Sequence, residues 1–483
     1  MKVSLQTLVC SCILSIGLTQ VAVAQQNQEA NEKRIALGFQ GGNATVPFFQ
    51  RTKQFGVVPE NEGNQVYIEG AWYRKPDSAF VTQQKKWTWG YGIEGRLVQG
   101  NKSYAFLSVA EVHLQWKKWE VYAGRRKETI GLIDTTQTIG AYSWSGNALP
   151  MPKIQISTAD WVNFAHGWLG FKVGIAHGWF GNKEEEVVGH WLHQKWLYGR
   201  LGPASRKWEI TGGLNHQVQW GGETKNDDPF FALDGNLAPH PWYSYRFVVI
   251  PFLQKLVELD PSKLPPYDLG LAIGNQLGSV DVGFAYQLSP TKRINLYKQQ
   301  PYDFARSLYT LNNIGDGLYS LSYSHAAERF LNRLNLEFFY SKSQGATRFG
   351  KPTEGNFGEI DNYFSHGQYG SWSYRNTLLG TPFIAFLTNE AGEIYLNNRT
   401  VAYKASAGGQ IGTFAWEGKY AWIAYWGRWG YERRVNQQAV QIQIRSPWYK
   451  KGIQLTSSLG YDTGTNLAEN TWGFAFALQK RWE

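Results

Sequence analysis

The sequence predicts an all-β chain folded as a transmembrane antiparallel β-barrel of about 18 strands, with long outer loops and segments that plug the lumen. Three observations carry that prediction. The 483 residues are 16% aromatic and include 52 glycines. Apolar residues alternate with polar or small ones over stretches of about ten residues, the length a tilted strand needs to cross a membrane. The mean hydropathy is −0.40, and no apolar run beyond the N-terminus is long enough for a spanning helix.

The N-terminus sets the compartment. Lys2 precedes a mostly apolar stretch from Leu5 to Val23, and Ala22-Val23-Ala24 is a small-residue cleavage signal, so residues 1–24 read as a secretory signal peptide. Both cysteines, Cys10 and Cys12, lie inside it. The mature chain therefore has no thiol for a disulfide or a cysteine metal site. Residues 25–63 alternate weakly and read as a periplasmic entry or plug segment, and 64–483 as the barrel. The net charge of +10 suits an anionic partner. Nucleic acid is set aside because the chain is exported and its cations are dispersed. Acidic polysaccharide and lipopolysaccharide phosphate fit the compartment better.

Several segments spell out the strand pattern. Val112, Leu114 and Trp116 alternate with Glu111, His113 and Gln115, and Lys117-Lys118 then turns the chain into Trp119, Val121 and Ala123, a hairpin that two turn residues can close. Phe171 to Trp179, Leu334 to Tyr340 and Val440 to Ile444 repeat the alternation. The last segment is the clearest. Trp472, Phe474, Phe476 and Leu478 oppose Gly473, Ala475, Ala477 and Gln479, and Trp482 ends the large-residue face. A terminal strand closing on an aromatic residue resembles the signal read by the outer-membrane assembly machinery, an expected partner during biogenesis. No Pro- or Ser-rich linker divides the chain, whereas a soluble sandwich of this length would split into domains.

Candidate chemistry sits in two segments. From Tyr122 to Thr158, Pro150 and Pro152 forbid a central strand and demand an extended crossing. Either the loop folds into the lumen with Arg125 and Arg126 facing an anionic ligand, or it is a rim loop with solvated arginines. From Asp361 to Asn376, the rings of Tyr363, Tyr369, Trp372 and Tyr374 stand among Asp361, Asn362, His366 and Arg375. Sugar sites need aromatic faces together with planar hydrogen-bonding groups, and the alternative is that these rings belong to an interface girdle. His190 and His193 would share one face only on a helix, and their neighbours favour a strand. No metal, cofactor or catalytic residue is assigned, and no Gly-x-Ser-x-Gly, His-Glu-x-x-His or P-loop pattern is present.

The blocks Gly124 to Leu132, Trp144 to Ser157, His193-Gln194-Lys195, Asp361 to Phe364 and Gly380 to Phe383 resemble the Wzi-type capsule assembly proteins in their Bacteroidota form. The resemblance runs in order over most of the mature chain. It implies an 18-stranded outer-membrane barrel acting as a non-catalytic lectin that holds capsular or related surface polysaccharide. The functional expectation is accordingly an outer-membrane barrel that binds and attaches exported polysaccharide, with outer-membrane lipid and lipopolysaccharide around it. The alternatives are a porin or specific uptake channel and, behind it, a barrel enzyme.

Overall fold

The computed structural model describes residues 31–43, 45–60, 63–74, 87–182, 186–202, 207–225, 228–303, 305–348, 351–352, 361–388, 392–449, 452–465 and 470–482. The expected signal peptide at 1–24 lies outside them. In chain order the wall strands begin with β1 Asn31–Gly42, β2 Gln65–Arg74, β3 Thr88–Gln99, β4 Ser103–Trp116, β5 Trp119–Arg125, β6 Lys153–Thr158, β7 Leu169–Trp179, β8 Trp191–Leu201 and β9 Trp208–Trp220. They continue as β10 Asn275–Ser289, β11 Lys292–Tyr302, β12 Gly317–His325, β13 Arg333–Tyr340, β14 Thr400–Ile411, β15 Phe414–Tyr425, β16 Val435–Arg445, β17 Ile453–Thr463 and β18 Thr471–Trp482. Each pairs antiparallel with the next, and Val162–Phe164 prolongs the β6 position along β7. β1 closes the ring on β18, with Leu37 opposite Leu478 and Phe39 opposite Phe476. The result is a closed barrel of 18 strands, and no helix among the described residues is long and apolar enough to cross a membrane.

Alternation sets the two faces of the wall. On β18, Trp472, Phe474, Phe476 and Leu478 are between 40% and 46% exposed, as an outward face meeting acyl chains requires. The inward face carries small or polar residues, which abut what fills the lumen. At one rim, Lys117-Lys118, Pro290-Thr291 and Gly412-Thr413 join strands through two-residue turns. Lys117 takes φ 54° there, the left-handed conformation that tight hairpins demand. The same rim holds Asn31 and Trp482. The opposite rim sends out 126–152, 221–274, 303–316 and 341–399. Short turns with the termini mark the periplasmic side and long loops the outside, so the chain is an outer-membrane protein.

The N-terminal boundary differs from the sequence expectation. Residues 31–42 are a wall strand, with Ile35 and Leu37 exposed outward and Ala36 and Gln40 buried. The charges at Glu32, Lys33 and Arg34 and the glycines at 38, 41 and 42 thin its apolar face and hide the alternation. Only the stretch after it turns inward, placing Phe48 and Phe49 of α1 (Phe48–Arg51) in the interior.

One outer segment packs on the wall from outside. Helix α2 (Pro241–Val249) covers β8 and β9, where Lys195 Nζ donates to the carbonyls of Val248 and Val249 at 3.3 and 2.5 Å. His193 shares the outward face of β8 with exposed Leu197 and lies under Tyr245, with ring centroids 5.7 Å apart. The cover explains how His193 and Lys195 face outward without meeting lipid.

Candidate functional site: a lumen closed by outer segments

Two outer segments, 126–152 and 361–384, fold into the barrel and pack on each other. Tyr142 places its ring edge-on to Tyr363 and Phe364, at centroid distances of 6.0 and 5.3 Å. Backbone bonds tie the two together: Ser145 N donates to Leu379 O at 2.9 Å and Thr381 N to Tyr142 O at 2.8 Å. Gly380 sits at a close crossing of the two, where an added Cβ would lie 2.4 Å from the Tyr142 carbonyl oxygen. Trp372, Tyr363, Phe383 and Leu379 join Phe48, Phe49, Leu149 and Met151 in one apolar cluster that spans both segments and the N-terminal one.

Irregular backbone inside a barrel leaves N–H and C=O groups that must find partners, and the inward polar side chains of the wall supply them. Asp281 on β10 accepts the Leu132 N–H at 2.9 Å, Gln299 on β11 that of Tyr142 at 2.8 Å, and Glu337 on β13 that of Ile139 at 3.0 Å. Lys404 on β14 donates to the Gln137 carbonyl at 2.5 Å, and Gln217 on β9 to that of Ser143 at 3.2 Å. Pro150 and Pro152, read as marking an ordered crossing, lie where 126–152 leaves the lumen and returns to β6.

The residues singled out from the sequence fall mostly inside this plug. Arg125 donates to Pro150 O at 2.7 Å and to the Tyr374 hydroxyl at 2.9 Å, within the plug. Arg126 is buried and bonded to Glu111 and Glu120, each at 2.5 Å, so its charge is met by two wall carboxylates. Asp361 is buried and accepts from Ser307 and Asn313, at 2.8 Å each. Tyr363 donates to Asp316 at 2.7 Å, and Asn362 accepts from Asn398 at 2.7 Å. Tyr369 packs on His190 and His366, and His366 on Tyr267. Trp372 is 0% and Tyr374 1% exposed. Arg375 alone of the ten is exposed, at the tip of a hairpin between Ser373–Tyr374 and Thr377–Leu378. The expected stacking platform therefore presents no open ring; the aromatic density of 361–376 fills the barrel instead.

The sequence reading missed the wall residues that hold the plug and a small cavity beside it. That cavity, about 110 Å³, is lined by Lys53, Lys404, Lys419, Gln441 and Gln443 together with Phe49 and Thr138. Lys53 Nζ donates to the carbonyls of Thr135 and Thr138 at 2.8 and 3.1 Å. Burial, with Lys419 and Lys404 nearby, brings its pKa down to about 8. The alternation of Gln441 and Gln443 with Val440 and Ile442 was the available signal; the convergence of three lysines from 53, 404 and 419 had none.

No family model matches the chain, and no curated protein does. Among solved structures it is similar to OccAB2 of Acinetobacter baumannii, at 8% identity and TM-score 0.47 over 94% of this chain and 99% of that one. It is likewise similar to the outer membrane protein OprD of Pseudomonas aeruginosa, at 10% identity and TM-score 0.46 over 96% of this chain and 97% of that one. These are likenesses of architecture. The resemblance to Wzi-type capsule assembly proteins is corrected: no family model or curated protein supports it, and the structures found similar are OprD and Occ outer-membrane proteins, not members of that family. Of the short blocks that carried it, Asp361 to Phe364 and most of Gly124 to Leu132 are segments of the plug, and His193-Gln194-Lys195 lies on β8.

Proposed function

We propose that the protein is a solute-selective uptake channel of the outer membrane, closed at rest by its own inward segments, with small anionic solutes as its substrates. The observation that carries this reading is the basic cavity beside the plug. Lys53, Lys404 and Lys419 converge there with two glutamine side chains; Glu337 pairs with Lys404 and Glu417 with Lys419, so Lys53 is the group whose charge favours an anion over a cation. The plug is held to the wall by separate hydrogen bonds from lumen-facing polar and charged groups, each worth about 1–3 kcal/mol against water, so it can be released stepwise.

The test is solute flux from liposomes carrying the barrel with 364–380 replaced by a short Gly-Ser linker. Loaded small anions are expected to escape several-fold faster than cations of equal size, about what a 1 kcal/mol preference gives. Absence of flux, or faster cation escape, contradicts the reading. Retention of an exported polysaccharide at the cell surface is a second reading, favoured by the closure itself, since a filled lumen suits a barrel that works from its outer side. It predicts polysaccharide released into the medium when the gene is deleted and no solute flux from either form of the barrel.

A further inference from the structure

The outward face of β10 to β15 forms an apolar groove of about 890 Å³, lined among others by Phe284, Leu296, Leu321 and Leu336. Tyr319, Phe338, Tyr403 and Trp422 stand directly opposite one another on β12 to β15. Their ring centroids are 5.8, 4.9 and 5.9 Å apart in succession. Such rows mark the level where acyl chains give way to headgroups.

Cations gather at that row and past its outer side. Lys298 lines the groove and holds its ammonium 4.9 Å from the Tyr319 ring centre. Just past the end of β13, four residues beyond Phe338, is Lys342, and just past the end of β15, four beyond Trp422, is Trp426. Lys342 Nζ lies 3.4 Å and the Arg434 guanidinium 4.6 Å from the centre of the Trp426 ring. Arg399 stacks on Trp429 at 3.8 Å and bonds Glu432 at 2.5 Å. Partial burial, then Arg399 and Arg434, lower the Lys342 pKa, with Glu432 opposing them. Positive charge is thus crowded at the outer ends of β13 and β15, past the aromatic row whose Tyr319, Phe338 and Tyr403 line an apolar groove that faces the membrane.

We propose that this rim and groove bind a phosphorylated, multiply acylated glycolipid of the outer leaflet, its phosphate held by Lys342 and Arg434 and its chains lying along Phe338, Leu336 and Leu321. A soluble phosphate would use the cations and leave the groove empty. A lipid of this class uses both, since ammonium and guanidinium groups match phosphate oxygens while each buried methylene adds its own gain. The site is outside the lumen and does not depend on whether the barrel conducts.

The experiment is native mass spectrometry of the full barrel in mild detergent, incubated with bisphosphorylated lipid A or with its dephosphorylated counterpart. The wild type is expected to retain about tenfold more of the phosphorylated lipid, and the variant carrying Lys298→Gln, Lys342→Gln and Arg434→Gln to lose that preference. Equal retention of the two lipids by the wild type, or an unchanged preference in the triple variant, overturns the proposal. Heat-modifiable migration verifies folding. Should the triple variant fail to fold, Lys342→Gln alone is read instead, with about a threefold fall expected and no fall overturning the proposal.

Discussion

Lys404 on β14 and Glu337 on β13 form an ion pair 2.8 Å long with both side chains buried, and each reaches past the other to the backbone of the inward segment 126–152. Glu337 accepts the Ile139 N–H while Lys404 donates to the Gln137 carbonyl. The pair is therefore a fastening between wall and plug. Removing one member strands a buried charge, so Lys404→Met is expected to destabilise the barrel by about 3–5 kcal/mol. The double variant Glu337→Gln, Lys404→Met should cost less than the two single changes summed. Urea unfolding in lipid vesicles checks both.

Arg126 and Arg375 give opposite outcomes. Arg126 holds Glu111 and Glu120 and stacks at 4.0 Å over Tyr122, so Arg126→Ala leaves two buried carboxylates without their cation and is expected to cost about 3–5 kcal/mol. Arg375 is exposed at a hairpin tip, and Arg375→Ala should fall within about 0.5 kcal/mol of wild type. Heat-modifiable migration across a temperature series separates them.

Trp372 fills space between the inward segments, with no exposed surface. Trp372→Ala is expected to lose about 3–5 kcal/mol through the cavity it leaves, and Trp372→Phe much less. If the ring instead served as a sugar platform, the alanine variant would keep its unfolding midpoint.

The plug should be tighter in acid than in alkali. Asp316 is raised from 3.8 to about 7, first by burial and then by the Asp361 carboxylate, against the opposing bond from Tyr363. The folded chain therefore binds more protons than the unfolded one between those values. The contribution of Asp316 is complete below about pH 4, declines as pH rises toward 7, and is absent above. Unfolding midpoints at pH 5 and pH 8 measure the difference, and Asp316→Asn should shrink it.

What the sequence made legible follows from what a single strand reveals. Trp472, Phe474, Phe476 and Leu478 against Gly473, Ala475 and Ala477 announce a wall between lipid and lumen, because the period-two pattern is local. β1 escaped notice because Glu32 to Arg34 and three glycines dilute the same pattern. The aromatic run at 361–376 gives composition without saying which face is covered, and the cover comes from Tyr142 and Phe383, one of them more than two hundred residues away. Arg126 looked free for an anion because the hairpin that carries Glu111 and Glu120 is legible in the sequence, whereas the return of the chain just past β5 onto those two carboxylates is not. Of the three lysines of the lumen cavity, Lys404 and Lys419 face inward from one hairpin, and Lys53 reaches them only because the segment after β1 folds into the barrel.

The central claim is that the inward segments close the lumen, and single-barrel current across a planar bilayer tests it most directly. The wild type is predicted to give no steady open level, while the barrel with 364–380 replaced by a Gly-Ser linker gives one whose reversal potential favours anions. A steady open current of the same size from both proteins would contradict the account.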